Sequence, residues 1–395
     1  MKRRIILSLL LIIILPCLNA QKKEIAQARA FIKSGKNLAQ AEKLMLTLLK
    51  DSANRNNEKV CVVLCDALRK QYEEGNMNMY LKKPTDTAAL FNVAKRMFAA
   101  YEKLDSIDAT PDDKGRVRLK YRYKNSSFLD GYRKNLYSGG AFFIRRQQYK
   151  TAFDFIDMYL NTVSQPLFRD MHYSEDPEAA YWGLYCGYKL QDPELTLKYK
   201  DMALRDTARE ESTMEYLAET YKLLKDTVMY EKMLTTGFYR FKRSAYFFTY
   251  LVDFYNSMKR PDLALGIIND GLSSKENSEL YLFAKCNQLL NMGRYDDCLA
   301  ICDTLIARND TLADAYYNAG VAYINKAIEL DKQYTKANPK LRKQVIAYYN
   351  MSLPYMEKYR VLAPDQKDKW GAALYKIYLE LNMGKKFEEI DRLLR

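Results

Sequence analysis

A single histidine, His172, sets the first limit on the chemistry this chain can do. It lies in an acidic stretch beside Asp170, Glu175 and Asp176, and any Ser/His/Asp or Cys/His arrangement has to use it. No spacing pairs it with a nucleophile, so it reads as a solvated loop residue. Zinc spacings such as H-E-x-x-H and C-x2-C are missing, as are Gly-rich phosphate loops. Carboxylates are plentiful, but their arrangement selects no pair for acid–base work. The residue types therefore argue against an enzyme, and they assign no catalytic residue, cofactor or metal ligand.

Two other groups could carry chemistry. Beyond Cys17 stand Cys61, Cys65, Cys186, Cys286, Cys298 and Cys302. Cys61/Cys65 and Cys298/Cys302 are each four apart, which puts both members on one helical face with Cβ vectors badly directed for a bridge. Cys286 and Cys298 are placed to meet across a helix pair, and an oxidising compartment would allow them to bridge. The plainer reading makes all six small buried hydrophobes. The second group is a row of cations. Lys114, Arg116, Arg118, Lys120, Arg122 and Lys124 alternate with Gly115, Val117, Leu119, Tyr121 and Tyr123. An extended backbone would put the six cations on one side, where an anionic glycan, a lipid head group or nucleic acid could bind. The plainer reading is a solvated linker whose aromatics dock on a neighbouring helix.

The elements that must position these groups are helices. Fifteen Gly and ten Pro make up about 6% of the 395 residues, half the average share, which leaves too little turn punctuation for a strand-rich fold. With 48% hydrophobic and 28% charged residues the chain is globular rather than disordered. Its length exceeds what one core supports, so it must divide into domains or stack repeats. Residues 1–20 stand apart. Lys2, Arg3 and Arg4 precede the apolar run Ile5–Leu15, and Leu18-Asn19-Ala20 supplies a small residue before Gln21. That is the pattern of a secretory signal peptide, too short to span a bilayer. Pro16 before Cys17 counts against a lipid anchor, so the expectation is an exported, periplasmic or secreted protein with no membrane span. The net charge of +14 includes those three basic residues, and it favours anionic surfaces without marking a nucleic-acid binder.

Periodicity is the strongest signal. Windows starting at Glu211, Ala245, Glu279 and Ala313 are each 34 residues after the last. Their fourth residues are Met214, Phe248, Leu282 and Tyr316; their eleventh are Tyr221, Tyr255, Leu289 and Tyr323. The eighth are mostly small: Ala218, Val252, Cys286 and Gly320. Later in the windows Tyr230, Ala264 and Cys298 coincide, as do Leu234, Ile268 and Cys302. These positions mark the facing sides of two antiparallel helices, which approach closely only where one side chain is small. A bulky residue at Gly320 or Ala264 should cost about 1–3 kcal/mol through overpacking. Neither helix can bury its stripe alone, so successive pairs must stack.

Tyr316-x2-Ala319-Gly320-x2-Tyr323 and Gly293-x-Tyr295-x2-Cys298 resemble the tetratricopeptide repeat (TPR) family in its secreted bacterial form. So do Leu136-x2-Gly139-Gly140-x2-Phe143, Tyr149-x2-Ala152-x3-Ile156 and Tyr181-x2-Leu184-Tyr185-x2-Tyr188. Trp370 opens a final pair after Pro364, and Ile25–Lys50 fits a divergent pair turning at Gly35. The expected fold is all-α, a right-handed solenoid of stacked antiparallel helix pairs. Its sections are divergent repeats over 21–104, a basic linker over 105–127, TPR-like repeats over 128–210 and an in-phase array over 211–395. Thr162–Glu178 reads as a long loop, and 325–345 as an insertion that lengthens two helices around Pro339.

The resemblance implies a noncatalytic scaffold that binds a peptide or protein segment on the concave face of the superhelix. Family positions two, five, nine and twelve line that face, which here gives Glu219, Tyr246, Thr249, Asp253, Asn256, Leu280, Phe283, Asn287, Leu290 and Tyr317. The aromatics supply anchoring area and the Asn amides can bond a ligand backbone. Glu219 and Asp253 stand where some members carry a carboxylate clamp, so that activity does not carry over. The alternative partner is an anionic glycan or envelope polymer held by Arg116, Arg118, Lys120, Arg122 and Lys124. An exported location counts against nucleic acid.

Overall fold

The computed structural model describes residues 21–273, 278–333 and 339–395, and every regular element among them is a helix. The signal-peptide reading of residues 1–20 lies outside them. The chain forms two compact units, meeting in sequence at Lys225 and Asp226. Both are all-α solenoids of stacked antiparallel helix pairs.

In the first unit α1 (residues 21–34) turns into α2 (Leu38–Lys50) at Gly35, whose φ of +68° suits a residue without Cβ. Ala28, Ala41 and Met45 seal that pair. Two longer helices follow, α3 (Glu58–Tyr80) and α4 (Thr87–Asp108), each capped by an Asn57 or Asp86 side chain that accepts backbone N–H groups of the first turn. Next come α5 (Arg122–Asp130) and the pair α6 (Arg133–Arg145) and α7 (Tyr149–Asn161). The pair is closed by Gly139 and Gly140, where a Cβ would lie 2.7 Å from Phe155 and 2.6 Å from Ile156.

The expected linker over 105–127 is shorter than that. Residues 105–108 finish α4 and 122–127 begin α5, leaving 109–121 outside regular structure. The ends are pinned: Arg122 donates to both oxygens of buried Asp105 at 2.8 Å, and the Tyr121 N–H donates to Asp108 at 3.0 Å. The loop expected over 162–178 ends at Asp176, since Pro177 and Glu178 open α8, and it holds one 3-10 helix, Pro166–Met171, that inserts buried Leu167 and Phe168. Beyond it, α8 (Pro177–Lys189) faces a broken partner made of α9 (Pro193–Leu197) and α10 (Lys200–Ala203), and α11 (Glu210–Leu223) completes the unit.

The second unit runs α12 (Thr227–Arg240), α13 (Ala245–Ser257), α14 (Pro261–Ser273), α15 (Ser278–Asn291), α16 (Tyr295–Arg308), α17 (Ala313–Asp331), α18 (Pro339–Leu362), α19 (Lys367–Glu380) and α20 (Gly384–Leu394). The small and apolar positions read from the windows fall in the core. Ala264, Ile268, Cys286, Leu289, Cys298, Cys302 and Leu234 are buried, while Val252, Leu282, Tyr316 and Tyr323 are half-buried. The lengthened α17 and α18 account for the extra residues around Pro339. At the last pair the Trp370 indole N–H donates to the Pro364 carbonyl at 3.3 Å, which ties the proline to the helix it precedes.

The repeat also appears in the backbone. Gln191, Lys225, Lys259 and Gly293 all hold left-handed φ values, +53°, +58°, +55° and +73°, at 34-residue intervals. The phase therefore begins one window earlier than side-chain matching found, at α8. Side chains hid this because three of the four turn residues are Gln or Lys rather than Gly.

Candidate functional site

In the second unit α13, α15 and α17, the first helices of successive pairs, lie side by side. An amide ladder fixes them. Asn256 and Gln288 exchange reciprocal hydrogen bonds of 2.9 Å between α13 and α15, and Gln288 also donates to the Pro261 carbonyl at 3.1 Å. One step along, the Asn318 amide donates to Asn287 Oδ1 at 2.6 Å, joining α17 to α15. Gln288 and Asn318 are buried, so their full pairing is a condition of stability.

The three helices carry nine of the ten expected partner-binding residues, all but Glu219. Thr249, Asp253 and Asn256 are exposed on α13, beside half-buried Tyr246, whose ring centroid is 4.5 Å from that of Tyr250. Phe283, Asn287 and Leu290 are half-buried on α15, with Leu280 at the edge. Tyr317 on α17 is committed to packing: its ring lies 5.0 Å from Tyr359, with Lys369 Nζ 5.7 Å from the centroid. The expected backbone-binding amides are thus already in use, apart from the Asn287 N–H donors, which have no partner among the described hydrogen bonds. Glu219 belongs to α11 in the first unit. It lines a cleft of about 340 Å³ with Tyr188, Lys189, Thr196 and Thr220.

The cation row does not have the geometry expected of it. Arg122 and Lys124 lie in the first turn of α5 rather than on an extended segment, so six cations do not share a side. Arg116 pairs with Asp112 at 2.9 Å, Lys120 with Glu58 at 3.1 Å, and Arg122 with Asp105. Hydrogen bonds from Tyr121 and Lys120 hold the Glu58 carboxyl below its ordinary range. Arg118 and Lys124 stay exposed, with no described ion pair. His172 is exposed at the end of the 3-10 helix and makes no side-chain hydrogen bond among those described.

Sequence reasoning missed an apolar cleft of about 340 Å³ in the first unit, lined by Leu46, Leu49, Leu64 and Ala99 and rimmed by Arg55 and Lys103. Glu42 and Arg96 also line it: Arg96 donates to Glu42 at 2.7 Å, and Gln71 donates to the same carboxylate at 2.9 Å. Leu46 and Leu49 fall in the divergent pair over 25–50, where the repeat pattern is too faint to tell an inner face from a core face.

No family model matches this sequence, and comparison with curated proteins gives no match. Among solved structures, the chain is similar to YrrB, described as a TPR protein with an unusual peptide-binding site, at 19% identity and a TM-score of 0.33 over 48% of this chain and 88% of that one. A TPR repeats protein from Bacteroides fragilis is 14% identical with a TM-score of 0.32, covering 64% and 97% of the two chains. The TPR domain of P58(IPK) is 12% identical with a TM-score of 0.27, covering 93% and 99%. The fold assignment stands on the helix pairs themselves.

Proposed function

We propose that this chain is a noncatalytic protein-interaction scaffold of the cell envelope. On this reading it binds an extended peptide or protein segment across α13, α15 and α17. The observation that carries it is the amide ladder: buried Gln288 and Asn318 lock three helices edge to edge, so the side chains outside the ladder form a rigid strip. Rigidity matters because a preordered surface loses little entropy on binding. Phe283 and Leu290 offer apolar contact, the free Asn287 N–H donors suit a ligand carbonyl, and Asp253 adds an exposed negative charge. The cation row supports an anionic polymer less well, since three of its members already hold carboxylates. The basic, apolar start over residues 1–20 supports export.

Peptides selected on the full chain from a displayed random library test this reading. Selected sequences should carry a Lys or Arg near an apolar residue. Asp253→Lys should weaken them at least about tenfold, and Phe283→Ala about as much, a loss of roughly 1.4 kcal/mol each. Both variants should keep wild-type helical circular dichroism. Selected peptides that bind Asp253→Lys and Phe283→Ala as tightly as wild type would exclude this strip.

A further inference from the structure

Away from the strip, three sulfurs converge between α15 and α16. Cys298 and Cys302 sit one turn apart on α16, and Cys286 projects between them from α15. Cys286 Sγ is 3.4 Å from Cys298 Sγ and 3.1 Å from Cys302 Sγ, and all three atoms fit within 4.8 Å of one another. All three residues are fully buried, and their thiols are free. Packing alone does not call for sulfur here. The equivalent places in the other repeats hold Ala218, Val252 and Gly320, then Tyr230 and Ala264, then Leu234 and Ile268, so the helix pair closes there without sulfur. The surroundings are Leu265, Leu289, Leu299, Leu305, Ala315 and Ala319. Asn318, whose Nδ2 is 3.5 Å from Cys286 Sγ, is the one side chain outside the trio in a described hydrogen bond with any of these sulfurs.

We propose that Cys286, Cys298 and Cys302 form a three-thiolate binding site for a trivalent thiophilic ion, the class to which arsenic(III) belongs. Thiolate donors select soft ions. The choice among soft ions follows from charge, because an apolar interior penalises any net charge left on the complex. A monovalent ion leaves the trio at −2 and a divalent ion leaves it at −1. Among the described residues no fourth His, Cys, Asp or Glu stands with the trio, so zinc would have to complete its tetrahedron with a water held in apolar surroundings. A trivalent ion leaves no charge. The reaction with arsenous acid balances without an oxidant: each S–H hydrogen passes to one As–OH group, three As–O bonds are replaced by three As–S bonds, and three waters leave. Entry requires α15 and α16 to part, so uptake is slow in the folded state and the bound ion staples the two helices.

The test uses the full chain, reduced with a phosphine, then exposed to arsenite both when folded and while refolding. Native mass spectrometry should find one arsenic per chain with three hydrogens lost, and Tm should rise by about 5 °C. Cys286→Ala should lose both effects while keeping its helical circular dichroism, as Ala218 occupies the same place two repeats earlier. Cys298→Ala serves as the second variant, with Ala264 as its counterpart. Three results would each overturn the proposal: no uptake under either condition, equal uptake by both alanine variants, or displacement of arsenic by an equal concentration of Zn2+.

Discussion

Glu102 on α4 is a half-buried carboxyl whose pKa is pushed up to about 7 by burial. The folded chain therefore holds a proton there that the unfolded chain releases near its ordinary value. Between about pH 4.5 and 7 the native state binds more protons, so this group's contribution makes stability fall as pH rises through that window. Glu102→Gln removes the dependence. At pH 7.5 the variant should be more stable by up to about 2 kcal/mol after allowance for partial solvation, and at pH 4.5 nearly the same as wild type. Urea titrations at the two pH values measure the difference. Other single residues show how little of a side chain's partnership is legible in one dimension. Arg122 and Lys120 look like free cations in a basic row, yet their carboxylates, Asp105 and Glu58, lie 17 and 62 residues away. The three-sulfur cluster was half visible. The spacing joined Cys298 to Cys302 and, separately, Cys286 to Cys298, but only the crossing of the two helices puts all three within reach.

Within the helices, close approach decides which glycines matter. A Cβ at Gly187 on α8 would run into the Thr196 backbone N–H and lie 2.7 Å from the Leu195 carbonyl carbon, so one of the two segments must move as a body. At Gly320 on α17 the obstacle is the Met356 side chain, 2.7 Å away at its terminal methyl, and a methionine can find another rotamer. Gly187→Ala should thus cost about 3 kcal/mol and Gly320→Ala about 1 kcal/mol, measured by chemical denaturation. Equal costs would show that the broken partner of α8 yields as readily as a side chain. The helix pairs from α13 onward were legible because their contact positions recur in phase. The earlier ones were less so, since α3 and α4 run well past the length of a repeat helix and α9 and α10 divide what is elsewhere one helix. The face of α13, α15 and α17 was legible as a set of positions. Its ladder was not, because Gln288 and Asn318 occupy places that the family pattern does not single out.

For the molecule as a whole, the two tryptophans fall one to each compact unit, Trp182 on α8 and Trp370 on α19. Stacked repeats are held by nearest neighbours, so units with different local stability need not unfold together. Trp182→Phe leaves a fluorescence signal from the second unit, and Trp370→Phe one from the first. Their urea midpoints should differ by about 0.5 M or more, at a slope typical of small cooperative domains. Coincident midpoints, each matching circular dichroism, would mean that the chain unfolds as one body.

The left-handed turns at Gln191, Lys225, Lys259 and Gly293 have a consequence for how such a chain can grow. Because the main chain resumes the same conformation after each full interval, a gene segment encoding one interval can be copied in tandem and every downstream storey keeps its facing. Other increments have to be absorbed inside a pair, as α17 and α18 do at 19 and 24 residues before α19 packs on α18. The interval is thus carried by the main chain's torsion angles as well as by its side chains.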